Sequence, residues 1–129
     1  MQPERGSPAE WLDFAYGDLD LAREPHGPRV RREMVCFLAQ QAAEKSIKAV
    51  LLAHRISFPF THNLGVLLDL LPAAVTVPPE VDQAATLSAY AVLSRYPGMA
   101  TPNDADTAEA LRLAQSVVAW AEDVLQWSE

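Results

Sequence analysis

The chain has 129 residues, half of them hydrophobic, and its 10 basic and 17 acidic residues give a net charge of −7. This length allows one sizeable core but is too short for two ordinary domains, so we expect a single domain over residues 1–129. The acidic balance argues against a protein that binds nucleic acid or an anionic membrane with its whole surface, and the single cysteine, Cys36, excludes an internal disulfide.

The first two predicted helices cover the N-terminal half of the chain. Apolar residues recur there at helical spacing, and no segment alternates apolar and polar residues as a half-buried strand does. The first helix begins after Ser7, a good N-cap residue, with Pro8 at its first position. The second runs from about Pro28 to His54 and is apolar on two opposite sides. We therefore expect neighbouring helices or a partner chain to wrap it.

Three more helices are predicted in the C-terminal half. A short one begins at Thr61, which can cap it, and ends at Leu71. Another begins at the proline pair Pro78-Pro79 and continues to about Ser94, and the last covers about Asp104 to Gln126. Short connections between such helices favour antiparallel neighbours. The sequence thus predicts an all-α fold, an antiparallel up-and-down bundle of four long helices plus one short helix.

A polar tract, "QQAAEKSIK" (residues 40–48), interrupts the middle of the second helix, within a region (28–55) that has six basic and two acidic residues. Glu44 and Lys48 stand at i, i+4, as do Gln41 and Lys45. Such pairs stabilise a helix by about 0.3–0.5 kcal/mol each, which accounts for the tract without any function. The alternative is that Gln41, Lys45 and Lys48 line a polar cavity or a dimer interface.

The three histidines do not have the spacing of a metal site. His26 and His54 lack a second histidine three or four residues away, so we expect no metal. The simplest role of His62 is a hydrogen bond that holds the short helix against the second helix. The sequence contains no glycine-rich phosphate loop and no apolar run long enough for a membrane span, and we expect no cofactor and no membrane association.

Several segments together resemble the HEPN domain, the nucleotide-binding domain of higher eukaryotes and prokaryotes. They are "CFLAQQAAEKSIKAVLLAHR" (36–55), "FPFTHNL" (58–64) and "LSAYAVLSRYPG" (87–98). The resemblance implies an antiparallel helical bundle that is commonly a homodimer. It also implies a possible partner, a minimal nucleotidyltransferase, in a toxin–antitoxin-like pair. Several members of the family are metal-independent endoribonucleases.

The active motif of those ribonucleases is an arginine followed, after four to six residues, by a histidine. Counted from Arg95, the required positions 100–102 hold alanine, threonine and proline, none of which transfers a proton near neutral pH. Arg55 and His62 meet the spacing, but they span a loop that contains Pro59, and we interpret that match as coincidental. The tripeptide "RYP" (95–97) is similar to a variant found in one branch of the family.

The leading hypothesis is a cytoplasmic, dimeric binding module that is not an enzyme and engages a nucleotidyltransferase, a nucleotide or RNA. One alternative is an endoribonuclease toxin in which His62 replaces the missing acid or base. Another is a purely structural dimerisation module. The candidate ligand-binding residues are Gln41, Glu44, Lys45, Lys48, His62, Arg95 and Tyr96.

Overall fold

The computed structural model of the chain describes residues 6–91 and 101–127, whose regular structure is entirely helical. The expected all-α class is confirmed. The elements are α1 (Pro8–Arg23), α2 (Arg32–Ala53), α3 (Leu64–Asp69), α4 (Pro79–Gln83), a 3-10 helix (Ala84–Tyr90) and α5 (Asp104–Trp127).

Contacts at the helix ends give the directions of the three long helices. Arg32 at the start of α2 forms an ion pair of 2.7 Å with Asp104 at the start of α5, so these two helices begin at the same end of the bundle. Pro8 at the start of α1 lines one cavity with Ala53 and Leu125, which lie at the ends of α2 and α5. Helix α1 is therefore antiparallel to both.

The segment between α3 and the end of the 3-10 helix returns the chain to the end of the bundle where α2 and α5 begin. At the start of this segment, the indole N–H of Trp120, which lies towards the end of α5, donates to the Thr76 carbonyl at 2.9 Å. At the end of the segment, the Tyr90 side chain forms a hydrogen bond with Cys36, which lies in the first turns of α2. Chain direction consequently alternates from α1 to α2, to this return segment and to α5, as an up-and-down bundle requires.

Helix α2 is the centre of the core and packs against α1, α3, the 3-10 helix and α5. Four of its alanines, at positions 39, 42, 43 and 49, are completely buried. Their small side chains let neighbouring helices approach on more than one side, which agrees with the two apolar sides predicted from the sequence. Larger core side chains on the surrounding elements include Leu12, Leu19, Leu64, Leu67, Val81, Leu87, Leu113, Val117 and Trp120.

Helix α1 begins where the sequence predicts, and α5 does too. Ser7 Oγ accepts from the Glu10 backbone N–H at 3.1 Å, and the Glu10 carboxylate accepts from the Ser7 N–H at 2.8 Å, a complete capping box. At α5, Asn103 and Asp106 exchange the same two kinds of hydrogen bond at 2.8 and 2.9 Å.

Helices α2 and α3 both begin later than predicted. Residues 27–30 form a turn in which the Val30 N–H donates to the Gly27 carbonyl, so α2 starts at Arg32 rather than near Pro28. For α3 the cap is Asn63, whose side chain accepts from the Val66 N–H, while the Thr61 hydroxyl accepts from the Asn63 N–H. The Thr61 hydroxyl is thus used in a local turn, and it does not cap α3 as predicted.

The predicted helix from Pro78 to Ser94 differs most from the structure. It is α-helical only through Gln83 and continues as a 3-10 helix from Ala84 to Tyr90, and its predicted end at Ser94 lies outside the described residues. Residues three apart eclipse one another in a 3-10 helix. Ala84 and Leu87 are accordingly both buried, and Tyr90 packs against the core in the same row.

Arg55 has a left-handed backbone (φ 58°) just after α2. The Arg55 N–H donates to the Leu52 carbonyl and the Ile56 N–H to the Leu51 carbonyl, the hydrogen-bond pattern of a helix end that usually carries glycine. We expect Arg55→Gly to raise the free energy of unfolding by about 1 kcal/mol, because glycine adopts this conformation without strain.

Urea denaturation measures this change, with Arg55→Ala as the matched control. Alanine removes the guanidinium but keeps the Cβ, so it should give no comparable gain. Equal stabilisation by both substitutions would mean that the arginine side chain, not the backbone strain, is unfavourable.

Candidate functional site

The polar tract of α2 contains one row of polar side chains that faces the interior. Gln40, Glu44 and Lys48 follow one another at i, i+4 spacing, so they lie along one side of the helix. Gln40 is completely buried, and the side chains of Glu44 and Lys48 are only 5% and 8% exposed. A buried polar group without a partner costs about 1–3 kcal/mol, so partners are required for every member of this row.

Glu44 supplies most of those partners. Its Oε1 accepts from Gln40 Nε2 at 2.9 Å and from His62 Nδ1 at 2.9 Å, and its Oε2 accepts from Lys48 Nζ at 3.0 Å. Gln40 Nε2 also donates to the His62 carbonyl at 3.2 Å, while its amide oxygen accepts from Gln41. We call Gln40, Glu44, Lys48 and His62 the Glu44 cluster.

The Glu44 cluster keeps its carboxylate ionised. Burial alone would raise the pKa of Glu44, but the hydrogen bonds from Gln40, Lys48 and His62 and the charge of Lys48 outweigh it. The pKa of Glu44 therefore lies below its usual range. The site holds one buried negative charge that is fully hydrogen-bonded and neutralised by Lys48.

Lys48 is enclosed by aromatic rings from two other elements. Its Nζ lies 5.7 Å from the centroid of the Trp11 ring on α1 and 5.3 Å from that of the Phe58 ring in the α2–α3 loop. Cations are attracted to the faces of aromatic rings at such distances. The ammonium group is thus occupied by Glu44 and two rings rather than presented to solvent.

His62 is the member of the cluster that reaches the surface. Because an ionised carboxylate only accepts hydrogen bonds, the Nδ1 that faces Glu44 must carry a proton. The side chain is 47% exposed, and among the described residues no hydrogen bond to its Nε2 is present. The expected hydrogen bond that links the start of the short helix to α2 is confirmed, and a buried carboxylate orients the imidazole.

Lys45 and Gln41 do not form a hydrogen bond with each other, and each has a different partner. Lys45 Nζ forms an ion pair of 2.6 Å with Asp18 on α1 and lies 6.0 Å from the centroid of the Phe14 ring. Gln41 donates to Gln40, so of the two predicted i, i+4 pairs only the one between Glu44 and Lys48 is confirmed.

An open cleft lies beside Lys45 on the α1 side of the bundle. It has a volume of about 520 Å³ and is lined by Gly6, Glu10, Trp11, Phe14 and Lys45. The cleft combines one cation that already has a partner with a carboxylate and two aromatic rings. Its charge does not favour an anion.

The predicted site residues therefore separate into three groups. Glu44, Lys48 and His62 belong to one cluster, Gln41 touches it through Gln40, and Lys45 faces α1. Arg95 and Tyr96 lie outside the described residues. Sequence reasoning missed Gln40, although its i, i+4 spacing before Glu44 was a usable signal, and it missed the contributions of Trp11 and Phe58.

Residues 6–91 and 101–127 contain neither a metal site nor a membrane span. No group of three histidine, cysteine, aspartate or glutamate side chains in these ranges is arranged to hold a metal ion. None of the helices there combines the length and the apolar character needed to cross a membrane.

Most of the chain matches the model of a known family. The model of the HEPN domain matches residues 9–124 of the chain. The chain belongs to the HEPN domain family. A search of curated proteins returned no match.

Solved structures agree with membership of the HEPN family. TT1696 from Thermus thermophilus is 34% identical, with a TM-score of 0.78 over 91% of this chain and 97% of that one. ST0689, an archaeal HEPN homologue, is 27% identical, with a TM-score of 0.69 over 92% and 97% of the two chains. A HEPN domain protein from Thermotoga maritima, tm0613, is 23% identical with a TM-score of 0.56 over 92% and 93%, a similarity of fold alone.

Proposed function

We propose that this HEPN domain is a dimeric binding module that engages a minimal nucleotidyltransferase and, as ligand, a nucleotide or RNA in the cytoplasm. The observation that carries the proposal is the internal use of the polar tract. Glu44 and Lys48 neutralise each other in the interior, and Lys45 is paired with Asp18. Each of these charges already has a partner within the fold, so they stabilise a scaffold and are not free to act on a substrate.

The sequence at Arg95 supports the same proposal. Positions 100–102, where the ribonuclease motif of the family requires a histidine, hold alanine, threonine and proline. An arginine alone can hold a phosphate group, but it does not transfer protons near neutral pH. Binding without cleavage is the activity that these residues support.

The test of this proposal uses the purified protein and total RNA. We expect a dimer by light scattering, no specific RNA cleavage, and co-purification with a small nucleotidyltransferase or with a ligand that absorbs at the wavelength of nucleobases. Specific cleavage that disappears in Arg95→Ala would contradict it. A monomer that purifies with neither would also contradict it.

An endoribonuclease is the second candidate, and the pairing of His62 with Glu44 favours it. A carboxylate that accepts from Nδ1 fixes the tautomer of a histidine and leaves its Nε2 as the nitrogen that can accept a proton, which suits a general base. His62→Ala distinguishes the two candidates. Loss of cleavage with an unchanged melting temperature supports catalysis, whereas loss of stability alone supports the structural role of the cluster.

A further inference from the structure

The loop between α2 and α3, residues 55–63, carries an aromatic side chain that is not buried in the core. Phe60 is 93% exposed, the largest exposure among the exposed large hydrophobic residues of the described chain. Its ring centroid lies 5.6 Å from that of His62, with an angle of 68° between the ring planes. The two rings therefore form an exposed pair at the surface of the bundle.

The Glu44 cluster fixes the position of His62 in this pair. Gln40 holds the His62 backbone carbonyl, Glu44 holds its Nδ1, and the Asn63 side chain caps α3 directly afterwards. Ordering of a loop before binding reduces the entropy that binding must overcome. The imidazole beside Phe60 is thus held in place before any ligand binds, which favours a binding surface at this loop.

The charge around the loop is opposite to that of the whole chain. Residues 55–63 contain no aspartate or glutamate and include Arg55, in a chain of net charge −7. Arg55 is exposed and keeps a left-handed backbone that glycine would adopt without strain. A residue held in a strained conformation is a candidate for function.

We propose that residues 55–63 bind an unpaired nucleotide of single-stranded RNA, with the base stacked on Phe60 beside His62 and the phosphate held by Arg55. Aromatic rings stack on every base, and cations beside them hold the backbone. Charge favours RNA over a protein partner, because the loop offers the guanidinium of Arg55 and no carboxylate. The proposal rests on the RNA ligand of the proposed function and assigns it a site on the α2–α3 loop.

The test is fluorescence anisotropy of a labelled oligouridylate of about eight nucleotides, titrated with the full chain at low salt. Phe60→Ala should weaken binding about tenfold, whereas Phe60→Tyr should retain it, because tyrosine also stacks. Phe14→Ala is the matched control, since Phe14 is also an exposed phenylalanine (64%) but lies on α1, and it should bind as the wild type does. Arg55→Ala should also weaken binding and reduce its salt dependence, and Arg55→Lys should restore most of it.

Two outcomes would overturn the proposal. The first is equal binding by wild type and Phe60→Ala, which leaves RNA binding by the module intact but places it elsewhere. The second is no oligonucleotide binding by the wild type together with a Phe60→Ala change in the light-scattering mass, which assigns the loop to a protein interface. Co-purification with a nucleotidyltransferase is measured separately. The experiment therefore distinguishes failure of the proposed RNA site on the loop from failure of the proposed binding function.

Discussion

Lys48→Met is expected to lower the free energy of unfolding by about 3–5 kcal/mol. Methionine fills a similar volume between Trp11 and Phe58, so little packing is lost. The loss comes from Glu44, whose carboxylate stays buried without its cation and keeps only the hydrogen bonds from Gln40 and His62. Urea denaturation followed by circular dichroism measures the change.

The double substitution Glu44→Gln with Lys48→Met is the control for this prediction. It removes both charges and leaves an amide that Gln40 and His62 can still contact. Replacement of a whole buried ion pair is often nearly neutral, so the double variant should recover most of the loss. A single Lys48→Met variant within about 1 kcal/mol of the wild type would contradict the buried pair, because surface pairs contribute no more than that.

The helices that the sequence predicts well are those whose ends are set by adjacent residues. Ser7 caps α1 through Glu10, and Asn103 caps α5 through Asp106, so each start depends on hydrogen bonds within three residues. Periodicity then extends each helix along its apolar stripe. Local chemistry and long-range packing agree in these helices, and the prediction is confirmed for this reason.

The segments predicted less well depend on contacts with distant residues. The Leu64 N–H donates to the Ser88 hydroxyl at 2.8 Å, a contact between α3 and the 3-10 helix that no local pattern contains. Residues 84–90 have an apolar spacing compatible with either helix type. Packing against α2 and α5, rather than propensity, selects the 3-10 form.

The candidate site was predictable only in part for the same reason. The i, i+4 rule identifies the pair of Glu44 and Lys48, because both residues lie on one helix. It does not reveal that Trp11 and Phe58 enclose the ammonium group, since these residues come from α1 and from the α2–α3 loop. The polarity of the tract was visible in the sequence, but its burial was not.

Acid is expected to destabilise the protein through the same cluster. The pKa of Glu44 is lower in the folded chain than its usual value of 4.5, because the hydrogen bonds from Gln40, Lys48 and His62 and the charge of Lys48 outweigh burial, which would raise it. Its contribution to stability is therefore complete above the unfolded pKa and is lost as the pH falls through the folded pKa. Each pH unit between the two values corresponds to about 1.4 kcal/mol.

The double variant isolates this effect from the other carboxylates of the chain. It lacks the ionisable group of Glu44 but keeps every other acidic residue and His62, so subtraction of its pH profile from that of the wild type leaves the linkage of the buried pair. The free energy of unfolding of the wild type should fall relative to the double variant as the pH drops below the unfolded pKa of 4.5. Parallel profiles would mean that Glu44 has the same pKa in the folded and unfolded chains, and that the Glu44 cluster does not stabilise the ionised carboxylate.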